Sequence, residues 1–251
     1  MRSILVIGIG AGNPDYLTAE AVAALQRADV FFIPDKGEEK AALKALRETI
    51  LGRVVGDRAR SVGYDVPPRR LGGADYGADI EAWRAAVEAV HRRLIGEALA
   101  EGETGAFLVW GDPAIYDGTL GILAGLKAGG LDIAIEAFPG ISAPQALAAR
   151  HGITLNGPGE AILFTTGRRL AAGWPEGIDN VVVMLDSGNT FASIEGTDGL
   201  DIYWGAYLGM AEEILIAGRL SEVRDEIVQR RAAARERHGW IMDTYLLRRR
   251  S

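Results

Sequence analysis

The chain has 251 residues, of which 48% are apolar, and it carries a net charge of −7 with no cysteine. That length and apolar fraction allow one large α/β domain or two modest ones. The acidic balance gives no basis for gripping a phosphate backbone, and the missing cysteines rule out disulfides, thiolate metal sites and a cysteine nucleophile. No apolar run approaches the ~20 residues a membrane span needs, and the first residues lead into a strand rather than a secretory apolar region. A soluble cytoplasmic protein with no nucleic-acid or membrane partner is expected.

In chain order, SILVIGI reads as a strand, TAEAVAALQRA as a helix, DVFFIPD as a strand and EEKAALKALRETIL as a helix. This alternation predicts a parallel sheet with helices on its faces. Thr18 is the expected N-cap of the first helix, with Leu17 and Val22 forming a hydrophobic staple. Residues 61 to 77 are rich in Gly and Pro, lack either hydrophobic period, and are expected to form a long connection. Residues 79 to 101 predict a long helix with Ile80, Trp83, Val87, Val90 and Leu94 on one stripe, His91 on the exposed side and Gly102 as the stop. GAFLVWGD, TLGILAGLKAGG, LDIAIEAFPG and SAPQALAARHG then read as strand, helix, strand, helix.

Beyond residue 155 the rhythm changes. AILFTT, VVVML, DIYWGAYL, EEILIAGRL and WIMDTYLLRR are strand candidates with few helices between them, which predicts a mixed sheet. The expected division lies at the NGPGE turn, giving two α/β domains, 1–156 and 157–251. The arginine-rich stretch from Arg224 to Arg237 is interleaved with Asp225, Glu226 and Glu236 and reads as a solvated, ion-paired helix face.

The loop GIGAGNPDYLT begins directly behind the first strand, and its glycines are Gly8, Gly10 and Gly12. A dinucleotide loop has G-x-G-x-x-G with the helix starting at the turn. Here Asn13 takes the place of the third glycine, and Asn13-Pro14-Asp15 holds the helix back, so a pyrophosphate would lose its N–H cradle. An NAD site using Asp35 for the ribose and a tight turn without a ligand both stay open at this point. WGDPAIYDG stops a buried strand at Gly111-Asp112-Pro113, and FPGISAPQ turns at Pro139-Gly140 before Ser142, a natural helix cap. Three sharp glycine turns at one edge of one sheet imply a crevice approached by bare backbone.

GIGAGNPDYLTAEAVAALQRADV, WGDPAIY and FPGISA, in that order and spacing, resemble the tetrapyrrole methylase family, S-adenosylmethionine-dependent enzymes of the cobalamin and sirohaem pathways. VVVMLDSGNTF, DIYWGAYLGMAEEILIAGRLSEV and WIMDTYLLRR narrow the resemblance, over essentially the whole chain, to the branch that converts precorrin-5 to precorrin-6A. That conversion methylates the ring and releases its extruded acetyl group as acetate. A family member acting at another ring carbon without deacetylation is the alternative. The resemblance implies two α/β domains, a homodimer, and S-adenosylmethionine held in a cleft between the domains. By the same carry-over Pro14, Gly111, Asp112, Ile115, Ser142 and Ala143 would contact the cofactor, with Leu185 and Ala206 from the second domain. One departure is Thr154, which follows Gly152-Ile153 where the family often has proline.

Such a reaction needs an aligned ring carbon and methyl, an activated water and a stabilised oxyanion. Asp186, behind the strand VVVML, and Tyr116, in the GDPAIY turn, are the candidate catalytic residues; an acid ending a strand and a packing tyrosine are their alternatives. The substrate carries acetate and propionate arms, and arginine binds carboxylates through two parallel hydrogen bonds. Arg168 and Arg169 are the first candidates for that role and Arg69 and Arg70 the second, against a solvated surface role for each pair.

Overall fold

The computed structural model describes residues 1–35, 41–68 and 76–250. Its contacts divide into two compact units, one of Met1–Gly10 with Pro14–Ile141, the other of Ala11–Asn13 with Ser142–Ser251.

The first unit holds β1 (Arg2–Gly8), α1 (Ala19–Arg27), β2 (Val30–Asp35), α2 (Ala41–Val54), β3 (Arg60–Asp65), α3 (Tyr76–Ala98), β4 (Thr104–Val109), α4 (Thr119–Ala128) and β5 (Ile133–Phe138). The strands form a sheet of order β3-β2-β4-β1-β5, parallel at every pairing. Strand alternation sorts the core into two faces. Ile4, Val6, Phe32 and Phe107 pack with Val87, Ile95 and Leu123 of α3 and α4, while Leu5, Ile7, Phe31 and Leu108 pack with Leu25 and Ile50 of α1 and α2. Burial on both faces is why these strands read as continuous apolar runs. At the start of α1, Thr18 accepts a hydrogen bond from the Ala21 amide at 3.0 Å, the cap expected from sequence.

Two expectations in this unit are corrected. The start of the 61–77 segment is the edge strand β3, whose Val62 and Tyr64 pack on the α3 side of the sheet. Two inward side chains around Gly63 are too short a run for alternation to show in the sequence. His91 is buried, 3% exposed, with its ring 4.6 Å from that of Phe107 and edge-on to Tyr64 at 5.7 Å. It shares the inner stripe with Val87, Leu94 and Ile95, at the i, i+4, i+7, i+8 spacing of a wide helix face.

Burial pushes the His91 imidazole down to about 4, and its Nδ1 has no hydrogen-bond partner. The unfolded chain therefore takes up a proton near pH 6.5 that the folded chain refuses until about pH 4, so stability falls with pH across that window. Between pH 7 and pH 5 the loss should be about 2 kcal/mol. Urea unfolding of wild type and His91→Phe at both pH values checks this. The variant should show a decline smaller by that amount, and equal declines would remove His91 as the cause.

The second unit holds α5 (Ala143–His151), β6 (Ile162–Thr166), α6 (Gly167–Leu170), β7 (Asn180–Met184), β8 (Leu200–Ala206), β9 (Ile214–Arg219), α7 (Leu220–His238) and β10 (Asp243–Arg249). All five strand candidates form, in the order β6-β7-β10-β8-β9. The β6–β7 pair is parallel and the other three pairs are antiparallel, a mixed sheet as expected. The division between units falls at Ile141/Ser142 rather than at the 156–160 turn, since α5 packs on this second sheet through β8, β9 and β10.

Along α7, the solvated-face reading holds for most arginines but not for Arg231. That side chain is buried and bonds Asp243 at 2.9 Å through Nε, while Nη2 donates to the Asp186 carbonyl at 2.8 Å. The Trp204 indole donates to the same Asp243 carboxylate at 3.0 Å. A buried ion pair of this kind is tolerated because further hydrogen bonds engage both partners.

Candidate functional site

Parallel pairing brings the carboxyl ends of β1, β4 and β5 to one edge of the first sheet, where three glycine turns meet. A Cβ on Gly140 would lie 2.1 Å from the Gly111 carbonyl oxygen and 2.8 Å from the Gly8 backbone; a Cβ on Gly8 would lie 2.6 Å from the Gly140 nitrogen. Gly10 and Gly111 exchange backbone hydrogen bonds at 3.3 and 2.9 Å. These glycines thus serve backbone-to-backbone packing of the three turns.

Asp112 ties the turns together. Its Oδ2 accepts from the Gly140 amide at 2.9 Å and its Oδ1 from the Ala114 amide at 2.7 Å. Pro14 opens a 3-10 turn ahead of α1, so ten residues, 9 to 18, separate β1 from the helix. Asp35, the ribose candidate of the NAD alternative, pairs with Lys44 at 3.1 Å.

Beyond Asp112 the turn presents side chains outward. Ile115 is half-buried, and Tyr116 is 48% exposed in the left-handed region at φ 53°. Partial burial raises the pKa of the Tyr116 phenol, which stays a neutral O–H donor.

In the second unit, β6, β7 and β8 run in the same direction, so their carboxyl ends also share an edge. Leu185, directly after β7, is 66% exposed with φ 54°. A large apolar residue held exposed in a strained conformation marks a place where structure overrides local preference, as at ligand contacts. Tyr207 follows Ala206 in the same left-handed region, and its hydroxyl is anchored on the Trp240 carbonyl. Ala206 itself is fully buried, so it offers a ligand its main chain alone. Gly12 belongs to this unit, and a Cβ there would lie 2.5 Å from the Leu208 carbonyl oxygen.

The Leu185 turn is held by Asp186. Its carboxylate accepts from Gly188 N at 3.1 Å, Thr190 N at 2.7 Å, Thr190 Oγ1 at 2.9 Å and the Tyr245 hydroxyl at 2.7 Å. Burial and this neighbouring acid push the Tyr245 phenol far above the usual range, so it stays a donor. With four donors engaged and the side chain buried, Asp186 clamps a turn and has no free lone pair directed at a water, which corrects the catalytic role expected from sequence. Gly167, opening α6, packs so tightly on the same carboxylate that a Cβ there would lie 2.2 Å from Oδ1. One buried acid thus seats both the Leu185 turn and the helix carrying Arg168 and Arg169, which are exposed.

Ser142 caps α5: Gln145 Oε1 accepts from both its amide and its hydroxyl at 2.8 Å, and Ser142 is buried while Ala143 is half-buried. His151 is tied to the Trp204 carbonyl at 3.0 Å. Arg69 and Arg70 lie outside the described residues. No group of acids and histidines fit for a metal ion occurs among the described residues, and no described helix is long and apolar enough to cross a membrane. Sequence reasoning missed Arg231 and Tyr245, whose types carried no local signal; each is defined by a partner 45 and 59 residues away, on Asp186.

Comparison with known proteins agrees with this geometry. The family model of Tetrapyrrole (Corrin/Porphyrin) Methylases matches residues 3–224. The chain is 47% identical, over 99% of its length and 96% of the relative's, to a precorrin-6A synthase [deacetylating] of Sinorhizobium sp. Among solved structures it resembles a cobalamin-synthesis-related protein from Corynebacterium diphtheriae with TM-score 0.84 and 35% identity, covering 99% of both chains. A uroporphyrin-III C-methyltransferase of Thermus thermophilus, complexed with S-adenosylhomocysteine, shares the fold at TM-score 0.59 and 18% identity, over 98% of this chain and 96% of that one.

Proposed function

We propose, from the premise that the chain belongs to the tetrapyrrole (corrin/porphyrin) methylases, that it converts precorrin-5 to precorrin-6A with S-adenosylmethionine as donor. The enzyme is a methyltransferase of cobalamin biosynthesis, and the observation that carries the specific reaction is the 47% identity to a precorrin-6A synthase over essentially the full length of both chains. The homodimer and the cytoplasmic setting are parts of the same reading.

The residues present fit such a donor. Its adenosine and amino-acid portions need main-chain groups at close range, and the Gly8, Gly111 and Gly140 turns bring bare backbone together at one sheet edge, where a Cβ on Gly8 or Gly140 would collide with the neighbouring turn. Pro14, Gly111, Asp112 and Ile115 from the first unit and Ser142, Ala143, Leu185 and Ala206 from the second would hold it. When bound, the donor supplies an electrophilic methyl group on a sulfonium.

The chain's own contribution is then alignment and exclusion of water, since the nucleophile is a substrate carbon and needs no side-chain partner. Water added to the extruded acetyl carbonyl would break the carbon–carbon bond and release acetate and a proton, and the electron pair left on the ring carbon would take the donor's methyl group, with S-adenosylhomocysteine as the leaving group. Tyr116, neutral and exposed, is the donor we assign to the developing acyl oxyanion. Arg168 and Arg169 are the assigned partners of substrate carboxylates at the second unit's edge.

Incubation with precorrin-5 and methyl-labelled S-adenosylmethionine should yield labelled corrinoid and one equivalent of acetate per methyl. Label transfer without acetate would instead place the reaction at another ring carbon.

A further inference from the structure

Arg47 is a buried cation in ion-pair contact with no acid among the described residues. It lies on α2, 6% exposed, and donates from Nε to the Leu108 carbonyl at 3.1 Å and from Nη1 to the Leu43 carbonyl at 2.7 Å. Among the described residues it makes no ion pair, and Nη2 makes no hydrogen bond. Among the described residues the sealed polar side-chain atoms without partners are His91 Nδ1 and Asn189 Oδ1; the Arg47 Nη2 is not one of them, so it keeps an opening to solvent.

Strand register explains the position. Pairing of β2 with β4 runs from Val30↔Gly105 to Phe32↔Phe107 and ends there. Beyond it β2 stays with β3 as far as Asp35↔Asp65, and β4 stays with β1 as far as Gly8↔Val109. The two strands splay at the carboxyl edge. Because the Val109 carbonyl bonds the Ile9 amide on the β1 side, the Leu108 carbonyl points into the splay, and the Arg47 Nε takes the place of the missing strand partner.

A lone buried guanidinium carries a large desolvation cost and stays charged. Burial lowers the Arg47 pKa, with Tyr64 and Asp117 exerting the main opposing influences. Asp117 is not in ion-pair contact, and its Oδ1 accepts from the Thr119 amide at 2.8 Å at the start of α4. Tyr64 is half-buried, its hydroxyl bonds no described residue, and burial pushes its pKa up to about 12, so it is a neutral O–H donor. The splay therefore offers a buried guanidinium whose Nη2 is unengaged among the described residues, a charged donor for a carboxylate oxygen.

We propose that Arg47 forms a carboxylate-binding subsite in the splay between β2 and β4 and takes an acetate or propionate arm of the tetrapyrrole. The identity of that arm's parent rests on the reaction assigned above. The subsite acts in substrate binding and leaves donor binding alone.

The test compares wild type, Arg47→Lys and Arg47→Met. With precorrin-5, Arg47→Met should raise KM roughly tenfold or more, and Arg47→Lys, which keeps charge but loses the planar fork, should fall between. Affinity for S-adenosylhomocysteine by calorimetry should stay within about twofold in both. Direct binding of uroporphyrin III, an octacarboxylate tetrapyrrole, should weaken in the same order, which reads the subsite without any turnover. Wild type that binds uroporphyrin but leaves precorrin-5 unchanged would sink the reaction and leave the subsite to be judged by the binding series. Unchanged tetrapyrrole affinity and KM in Arg47→Lys and Arg47→Met, no tetrapyrrole binding by wild type, or a parallel loss of donor affinity would each overturn the subsite. If Arg47→Met does not fold, Arg47→Lys decides by the same criteria.

Discussion

Gly140→Ala should eliminate measurable S-adenosylhomocysteine binding and destabilise the first unit by about 3 kcal/mol, the upper end of ordinary overpacking costs. The new methyl group would lie 2.1 Å from the Gly111 carbonyl oxygen and 2.8 Å from the Gly8 backbone, and backbone held in a sheet has no rotamer by which to move aside. Gly140 does not adopt a positive φ, so space rather than conformational freedom is what demands glycine. To admit the methyl group, the β5 turn must part from the β1 and β4 turns, which strains the 2.9 Å bond from the Gly140 amide to Asp112. Gly96→Ala is the contrasting control. It lies inside α3 with nothing within 4 Å of its Cβ position, and there alanine should add about 0.5–1 kcal/mol. Urea unfolding and calorimetric titration with S-adenosylhomocysteine measure both. Wild-type affinity in Gly140→Ala would mean that the glycine turns do not seat the donor.

Asp186→Asn should cost about 3 kcal/mol and weaken donor binding at least roughly tenfold, because hydrogen bonds to a buried charged acceptor are among the strongest to lose. An amide nitrogen in place of one carboxylate oxygen puts a donor against donors: the Thr190 amide and the Tyr245 hydroxyl on one side, or the Gly188 amide and Thr190 hydroxyl on the other. The hydroxyls can turn to accept, whereas the backbone N–H groups have no such freedom. Release of the clamp frees Leu185 from its left-handed conformation and loosens the seat of Gly167, ahead of Arg168 and Arg169. A positioning residue should therefore show lower melting temperature, weaker S-adenosylhomocysteine binding and an unshifted pH–rate profile in the residual activity. Intact stability and donor affinity with loss of turnover and a displaced acidic limb would restore Asp186 as a water-activating base.

Much of the fold was legible because it rests on period and punctuation. The runs ILVI and VVVM, Thr18 before its helix, and the glycines after helices are local signals, each set by the conformational preferences of a few neighbouring residues. The three sheet-edge turns were equally readable, as Gly8, Gly111 and Gly140 stand directly behind apolar strands. The edge strand β3 was not, since only Val62 and Tyr64 face inward and Gly63 and the prolines that follow mimic a loop.

Charged residues were the hardest to read. Arg231 and Arg47 look in sequence like any other surface ions, Asp186 reads as an acid at a strand end, and His91, though polar, sits at the i+4 position from Val87 on the inner stripe of α3. Their roles depend on groups brought close by pairing across the sheets: the Leu108 carbonyl exposed by the β2–β4 splay, Tyr245 opposite Val183, and Asp243 beside Ala206. The sequence by itself determined where strands, helices and glycine turns lie, since those follow from local sterics and hydrophobic period. Only the tertiary structure decided which ions are partnered and which are not, because a buried charge is defined by long-range neighbours and by the water they exclude.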